Sequence, residues 1–180
     1  MYGMVNLAVE QLICENYGTE KWNHIKKKAG VTVSHFVNME SYDDAITYNL
    51  VGAASEILET PVDKLLESFG EYFIMFTAKE GYGEMLKLGG KTFPEYLSNL
   101  NMLHFRIGNM MPHLVPPTFQ VSNVTENSLT LTYISERKGL SPMVLGLIKG
   151  LGKILGSPCE IKELGKNPTL DQAIDFIVQW

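Results

Sequence analysis

PPTFQVSNVTENSLTLTYISERK, residues 116–138, is where the chain changes character. Phe119–Ser122 and Leu129–Glu136 alternate with a period of two around the polar turn Glu126-Asn127-Ser128, which predicts an antiparallel hairpin. On a strand, residues two apart share a face. Leu129, Leu131, Tyr133, Ser135 and Arg137 then fall on one side, and Thr130, Thr132, Ile134 and Glu136 on the other. The first row passes from apolar side chains to two hydroxyls and a guanidinium, spaced by roughly 6.5–7 Å from one to the next. All three donate hydrogen bonds, and arginine adds a fixed cationic fork suited to carboxylates. Such a row can grip a ligand with two acidic arms. A polar edge strand with a surface arginine is the bland alternative, and it stays open here.

Upstream the pattern is helical. Val5, Ala8, Val9, Leu12 and Ile13 keep helical spacing until Tyr17-Gly18, and Thr19 can cap a second helix carrying Trp22 and Ile25. Ser41 and Asp44 resemble a capping box opening a helix to about Leu58. Thr60-Pro61-Val62-Asp63 is a stronger start, leading into Leu65, Leu66, Phe69, Phe73 and Phe76. Gly81 and Gly83 bracket a short helical piece closed by Gly89-Gly90. Thr92-Phe93-Pro94-Glu95 opens a helix to about Asn109 with Leu97, Leu100, His104 and Ile107 on one stripe. Downstream, Ser141-Pro142 starts a helix to Leu155, and strands are predicted at Cys159–Leu164 and Ala173–Val178. Helices followed by a strand meander predict an α+β fold, a single domain over 1–180. Residues 1–60 would form a helical subdomain, and 61–180 helices packed on an antiparallel sheet.

Composition narrows the function. With 15 basic and 20 acidic residues the net charge is −5, which argues against nucleic acid. Lys26-Lys27-Lys28 closes a predicted helix and complements its dipole. The start lacks a signal peptide and no stretch reads as a membrane span, so a soluble, cytoplasmic protein is expected. Cys14 and Cys159 form no CxxC pair and suit reduced thiols. His24, His35 and His113 supply no zinc or calcium spacing around His104. A lone histidine on an apolar stripe is more often packed than ligating, yet one axial imidazole is all a five-coordinate haem requires. Haem propionates also have the two-armed form that the Tyr133–Arg137 row would suit.

MYGMVN at the start, His104 on its helix, Pro116-Pro117, and Tyr133-x-Ser135-x-Arg137 together resemble the H-NOX family of haem nitric oxide/oxygen binding domains. The likeness runs along essentially the whole chain. It implies that His104 is the proximal iron ligand and that Tyr133, Ser135 and Arg137 bind the propionates. Pro117, Val5 and Leu147 would press on the macrocycle. No CxxCH is present, so haem b would be held non-covalently, its iron ferrous. The distal gas positions implied by the family fall at Val9, Phe73 and Met143, none of which donates a hydrogen bond. Bound dioxygen needs a donor far more than nitric oxide or CO does, so a sensor of nitric oxide, and of CO, is expected. It would not be an enzyme. Capture of nitric oxide would weaken the Fe–His104 bond and shift the amino-terminal helices, which a partner reads. By resemblance the partner is a histidine kinase or a cyclic-nucleotide or cyclic-di-nucleotide enzyme.

Three rivals remain at this point. A dioxygen sensor would need a donor, with Tyr2, Tyr72 and Tyr82 as candidates. A haem enzyme would need a distal acid–base group. A module without haem would leave His104 merely packed.

Overall fold

A computed structural model describes residues 1–78 and 83–180. Helix α1, Gly3–Tyr17, stops at Gly18, whose φ of 84° is easily reached only by glycine. Helices α2 (Thr19–Lys28), α3 (Asp44–Ile57) and α4 (Val62–Thr77) follow. The short α5 (Gly83–Leu86) passes into a 3-10 turn, Lys87–Gly89. Then come α6 (Phe93–Ser98), α7 (Leu100–Gly108), β1 (Thr118–Ser122), β2 (Ser128–Ile134), α8 (Ser141–Ile154), β3 (Glu160–Lys166) and β4 (Ala173–Gln179). The class is α+β, as the sequence pattern indicates. Among the described residues no helix is long and apolar enough to cross a membrane.

The sheet is antiparallel throughout, in the order β1-β2-β4-β3. It is therefore not the simple meander expected, because β4 enters between β2 and β3. Leu131 and Phe176 face each other across β2 and β4 and are both fully buried. With Leu129 and Val178 they form the sheet's inner face, covered by Phe93, Leu97, Val144, Ile148 and Leu151. A second core gathers Ala8, Val9, Ile13, Trp22, Ile25, Leu50, Phe69 and Phe76. Helix α4 supplies Phe69 and Phe76 to this amino-terminal core although it lies beyond residue 60.

The two cores meet along α4 and α8. A Cβ added at Gly146 would lie 1.9 Å from the Glu67 carbonyl oxygen, and one at Gly70 would lie 2.1 Å from the Met143 oxygen. Only glycine lets the backbones approach this closely. Lys149 pairs with Glu67, and Lys153 with Glu71, one turn apart along one flank of the contact.

Several boundaries differ from expectation. The helix predicted from Thr92 to Asn109 breaks at Asn99, whose side chain leaves the helix to donate to the Gly89 carbonyl at 3.0 Å. Helix α3 is capped by Asp43, which accepts from the Ala45 N–H at 2.8 Å. Ser41 does not cap because it forms a β-bridge to Tyr2. Thr60 does not cap α4 either; its hydroxyl donates to the Leu58 carbonyl at 3.0 Å. Strand β2 ends at Ile134, where the Arg137 N–H turns back onto Ser135 Oγ at 3.1 Å. Ser135 and Arg137 thus leave the strand through a tight turn. Gly81 and Tyr82 lie outside the described residues.

Candidate functional site

A cavity of about 590 Å³ opens between the two cores, within the size range of ligand and cofactor sites. Helices α6, α7 and strand β1 form one wall, and α1, α4 and α8 the other.

His104 faces this space from α7. Burial pushes its imidazole below the ordinary histidine value, so the neutral, ligating form is favoured; the Pro117 backbone acts in the opposite direction. Its Nδ1 is sealed from solvent and has no hydrogen-bond partner among the described residues. The ring lies 5.9 Å from that of Phe119, which in turn lies 5.7 Å from the Tyr133 ring. One turn before His104, Asn101 clamps the same Phe119 by its backbone. Nδ2 donates to the Phe119 carbonyl at 2.6 Å, and Oδ1 accepts from its N–H at 2.9 Å. Helix α7 is thereby keyed to the strand that pairs Phe119 with Tyr133.

Tyr133, Ser135 and Arg137 also border the cavity. Burial raises the Tyr133 phenol, while a hydrogen bond with Ser135 and the charge of Arg137 work against it, so the three side chains act on one another. Arg137 is a tie rather than a solvated surface residue. Its Nε donates to Asp44 Oδ2 at 2.7 Å, Nη2 to Asp44 Oδ1 at 3.4 Å, and Nη1 to the Val115 carbonyl at 2.6 Å. Asp44 also meets the Met1 amino group at 2.5 Å. Burial alone would raise the Asp44 carboxyl, but its hydrogen bonds and charge contacts with Arg137 and Met1 outweigh that and hold it low.

Of the remaining positions singled out in the sequence, Pro117, Val5, Leu147, Phe73 and Met143 all line the cavity. Val9 does not. It lies one turn further along α1 and packs in the amino-terminal core with Phe69 and Phe76, against which Val5, Phe73 and Met143 also pack. Thr77, unforeseen in the sequence, brings a hydroxyl to the wall but directs it to the Phe73 and Ile74 carbonyls. Tyr2 is in the wall, its oxygen accepting from the His113 N–H at 3.0 Å. Tyr72 donates to Gln11 instead, at 3.4 Å. Tyr96 borders the cavity as well; its buried hydroxyl has no partner among the described residues, and burial pushes it up to about 12. No sequence signal marked Asn101 or Tyr96, and Asp44 stood out only as part of a capping box, because each matters through a tertiary contact.

These residues fit a haem. The volume suffices, the walls are mostly apolar, the buried His104 imidazole faces the space, and hydroxyl and guanidinium donors border it.

Comparison with known proteins agrees. The Haem-NO-binding family model matches residues 2–163. Soluble guanylate cyclase gcy-31 of Caenorhabditis elegans is 31% identical over 155 residues, 86% of this chain but 22% of the relative. The chain thus spans about a fifth of the length of the curated relatives it matches. An H-NOX protein from S. oneidensis in the Fe(II)NO ligation state shares the fold with a TM-score of 0.88 at 17% identity, over 99% of this chain and 98% of that one. The Fe(II) unliganded H-NOX protein from K. algicida gives 0.85 at 23% identity, over 99% and 96%.

Proposed function

Because the chain belongs to the Haem-NO-binding, or H-NOX, family, we propose that it is a sensor of nitric oxide, and of CO, with non-covalent haem b seated on His104. The observation that carries this reading is one cavity bordered by a buried neutral imidazole and by the Tyr133, Ser135 and Arg137 donors. When bound, haem supplies a ferrous iron that takes up a diatomic gas. His104 Nδ1 is closed off, so Nε2 is the nitrogen left for the metal. Tyr133, Ser135 and Arg137 hold the acidic arms, and Val5, Pro117 and Leu147 bear on the macrocycle. Phe73 and Met143 supply apolar surface where the gas binds, and the Thr77 hydroxyl is committed to its own helix. An apolar gas site favours nitric oxide and CO over stably held dioxygen.

Signalling follows from how His104 is mounted. Nitric oxide taken up by the haem would weaken the His104 tether, so α7 would lose a restraint, and the helices of residues 1–60 would shift against residues 61–180. A separate partner reads the shift, a histidine kinase or a cyclic-nucleotide or cyclic-di-nucleotide enzyme. The domain itself does no covalent chemistry. Free Cys14 and Cys159 suit a reducing cytoplasm.

One observation favours dioxygen as a second reading. The Tyr2 oxygen accepts a hydrogen bond, which leaves its own proton for a ligand. Absorption spectra of the ferrous protein in argon, air and nitric oxide separate the two. The expected result is no change on admitting air, then a five-coordinate nitrosyl; a stable oxy spectrum lost in Y2F would establish the second reading. H104G should lose axial coordination and regain it with added imidazole. A variant whose coordination is unaltered would refute the assignment of His104.

A further inference from the structure

Arg137 joins three parts of the molecule. It holds Asp44 at the first residue of α3, the Val115 carbonyl just before Pro116-Pro117, and its own turn after β2 through Ser135. One turn along α3, the Tyr48 hydroxyl donates to the Lys138 carbonyl at 3.1 Å. Helix α3 therefore grips residues 137–138 twice, and these are its polar ties to the segment that follows β2. A guanidinium has five N–H donors. Three of them are taken, two by one carboxylate.

A second carboxylate reaching Arg137 meets a guanidinium whose charge Asp44, shared with the Met1 amino group, already offsets in part, and the two carboxylates repel each other. Both groups are partly buried, with side-chain exposures of 25% for Arg137 and 35% for Asp44, so solvent screens this repulsion only in part. We propose that Asp44 is a built-in rival of the porphyrin carboxylate for Arg137, so that seating the cofactor loosens the grip of α3 on the turn after β2. This rests on the haem reading of the cavity and adds a coupling to it. Linkage is reciprocal: whatever porphyrin binding takes from the Asp44–Arg137 contact, that contact takes from porphyrin binding. The amino-terminal helices then sense occupancy of the site through Arg137, separately from the His104 tether.

The test uses metal-free protoporphyrin IX and its dimethyl ester, titrated into the haem-free full chain. With no iron, the His104 bond drops out and the carboxylates can be read alone. D44N should bind the dicarboxylate roughly fivefold tighter or more, with the ester changed less than twofold. In R137A the advantage of D44N should vanish. A purely structural Asp44 would instead weaken both porphyrins alike, and that result, or unchanged dicarboxylate affinity, overturns the proposal. Should D44N fold poorly, amide hydrogen exchange on the wild-type chain gives the same answer. Amides of residues 44–48 should exchange faster with the dicarboxylate than with the ester; equal or slower exchange sinks the idea. If wild type binds neither porphyrin, the haem reading itself falls, and that outcome is distinct from losing the rivalry alone.

Discussion

Helix α7 and the α4–α8 pair face the same cavity and are fastened by opposite means. The pair is locked by backbone touching backbone at Gly70, Gly146 and Gly150, with ion pairs outside the contact. Helix α7 has nine residues, exposes Met102 and Phe105, fully buries only Leu103, and is held besides by the Asn101 clamp and the Phe119 ring against His104. A contact with no slack has one position, whereas a helix held by a few directional bonds has others within reach. The difference assigns the roles: α4 and α8 make the fixed wall, and α7 is the element able to move.

The sharpest way to break this contrast is G146A. The added methyl carbon would sit 1.9 Å from the Glu67 oxygen and 2.8 Å from the Glu71 nitrogen, so the helices must part along their length. A loss of about 3 kcal/mol or more in urea denaturation is expected. A loss below about 1 kcal/mol would mean that the wall is soft and the contrast false.

N101A comes next. It removes two hydrogen bonds and leaves the Phe119 N–H and carbonyl without their partner, a loss of about 2 kcal/mol. Amide exchange should rise across α7 and β1 while α4 and α8 stay protected. Uniform acceleration would show that the two walls are not mechanically separate.

What could be read in advance follows this division. Tyr133, Ser135 and Arg137 were legible because they lie close in the chain and carry donors. The reason given for their convergence was partly wrong, since a turn at Ser135 rather than continued strand pleating brings Arg137 round. His104 was legible only together with that motif. The distal position at Val9 came from the family resemblance; Val5 reaches the cavity wall, and Val9, one turn on, packs in the core against which Phe73 and Met143 also pack. The Asn101 clamp spans 18 residues and the Asp44–Arg137 pair spans 93. No local pattern announces contacts of that separation. Gly70 and Gly146 likewise read as ordinary helix glycines until the two helices are brought together.

Tyr96 sharpens the picture of the α6–α7 wall through pH. Its folded phenol is held neutral up to about 12 by burial, whereas the unfolded one ionises near 10. Between those values the folded state keeps a proton that the unfolded state has lost, so stability falls as pH rises. Below about 10 the contribution is fully present, and it disappears as pH passes 12. Y96F should be at least as stable as wild type at neutral pH, because it removes a buried hydroxyl with no partner. It should also flatten the alkaline limb by up to roughly 3 kcal/mol. An alkaline limb unchanged in Y96F would mean that the phenol finds a partner or reaches water.

The smallest expected effect bears on what locks the rigid pair. Lys153 and Glu71 form an ion pair across α4 and α8, but their side chains are 61% and 37% exposed. Water competes for both charges, and ordering two long side chains offsets much of the attraction. K153A should therefore change stability by less than about 0.5 kcal/mol, measured in low salt, where the pair is least screened. G146A leaves every charge in place and yet is expected to cost several times more. A K153A loss approaching that of G146A would make the lock electrostatic. Salt would then loosen α4 from α8, and the fixed wall would be no more rigid than α7.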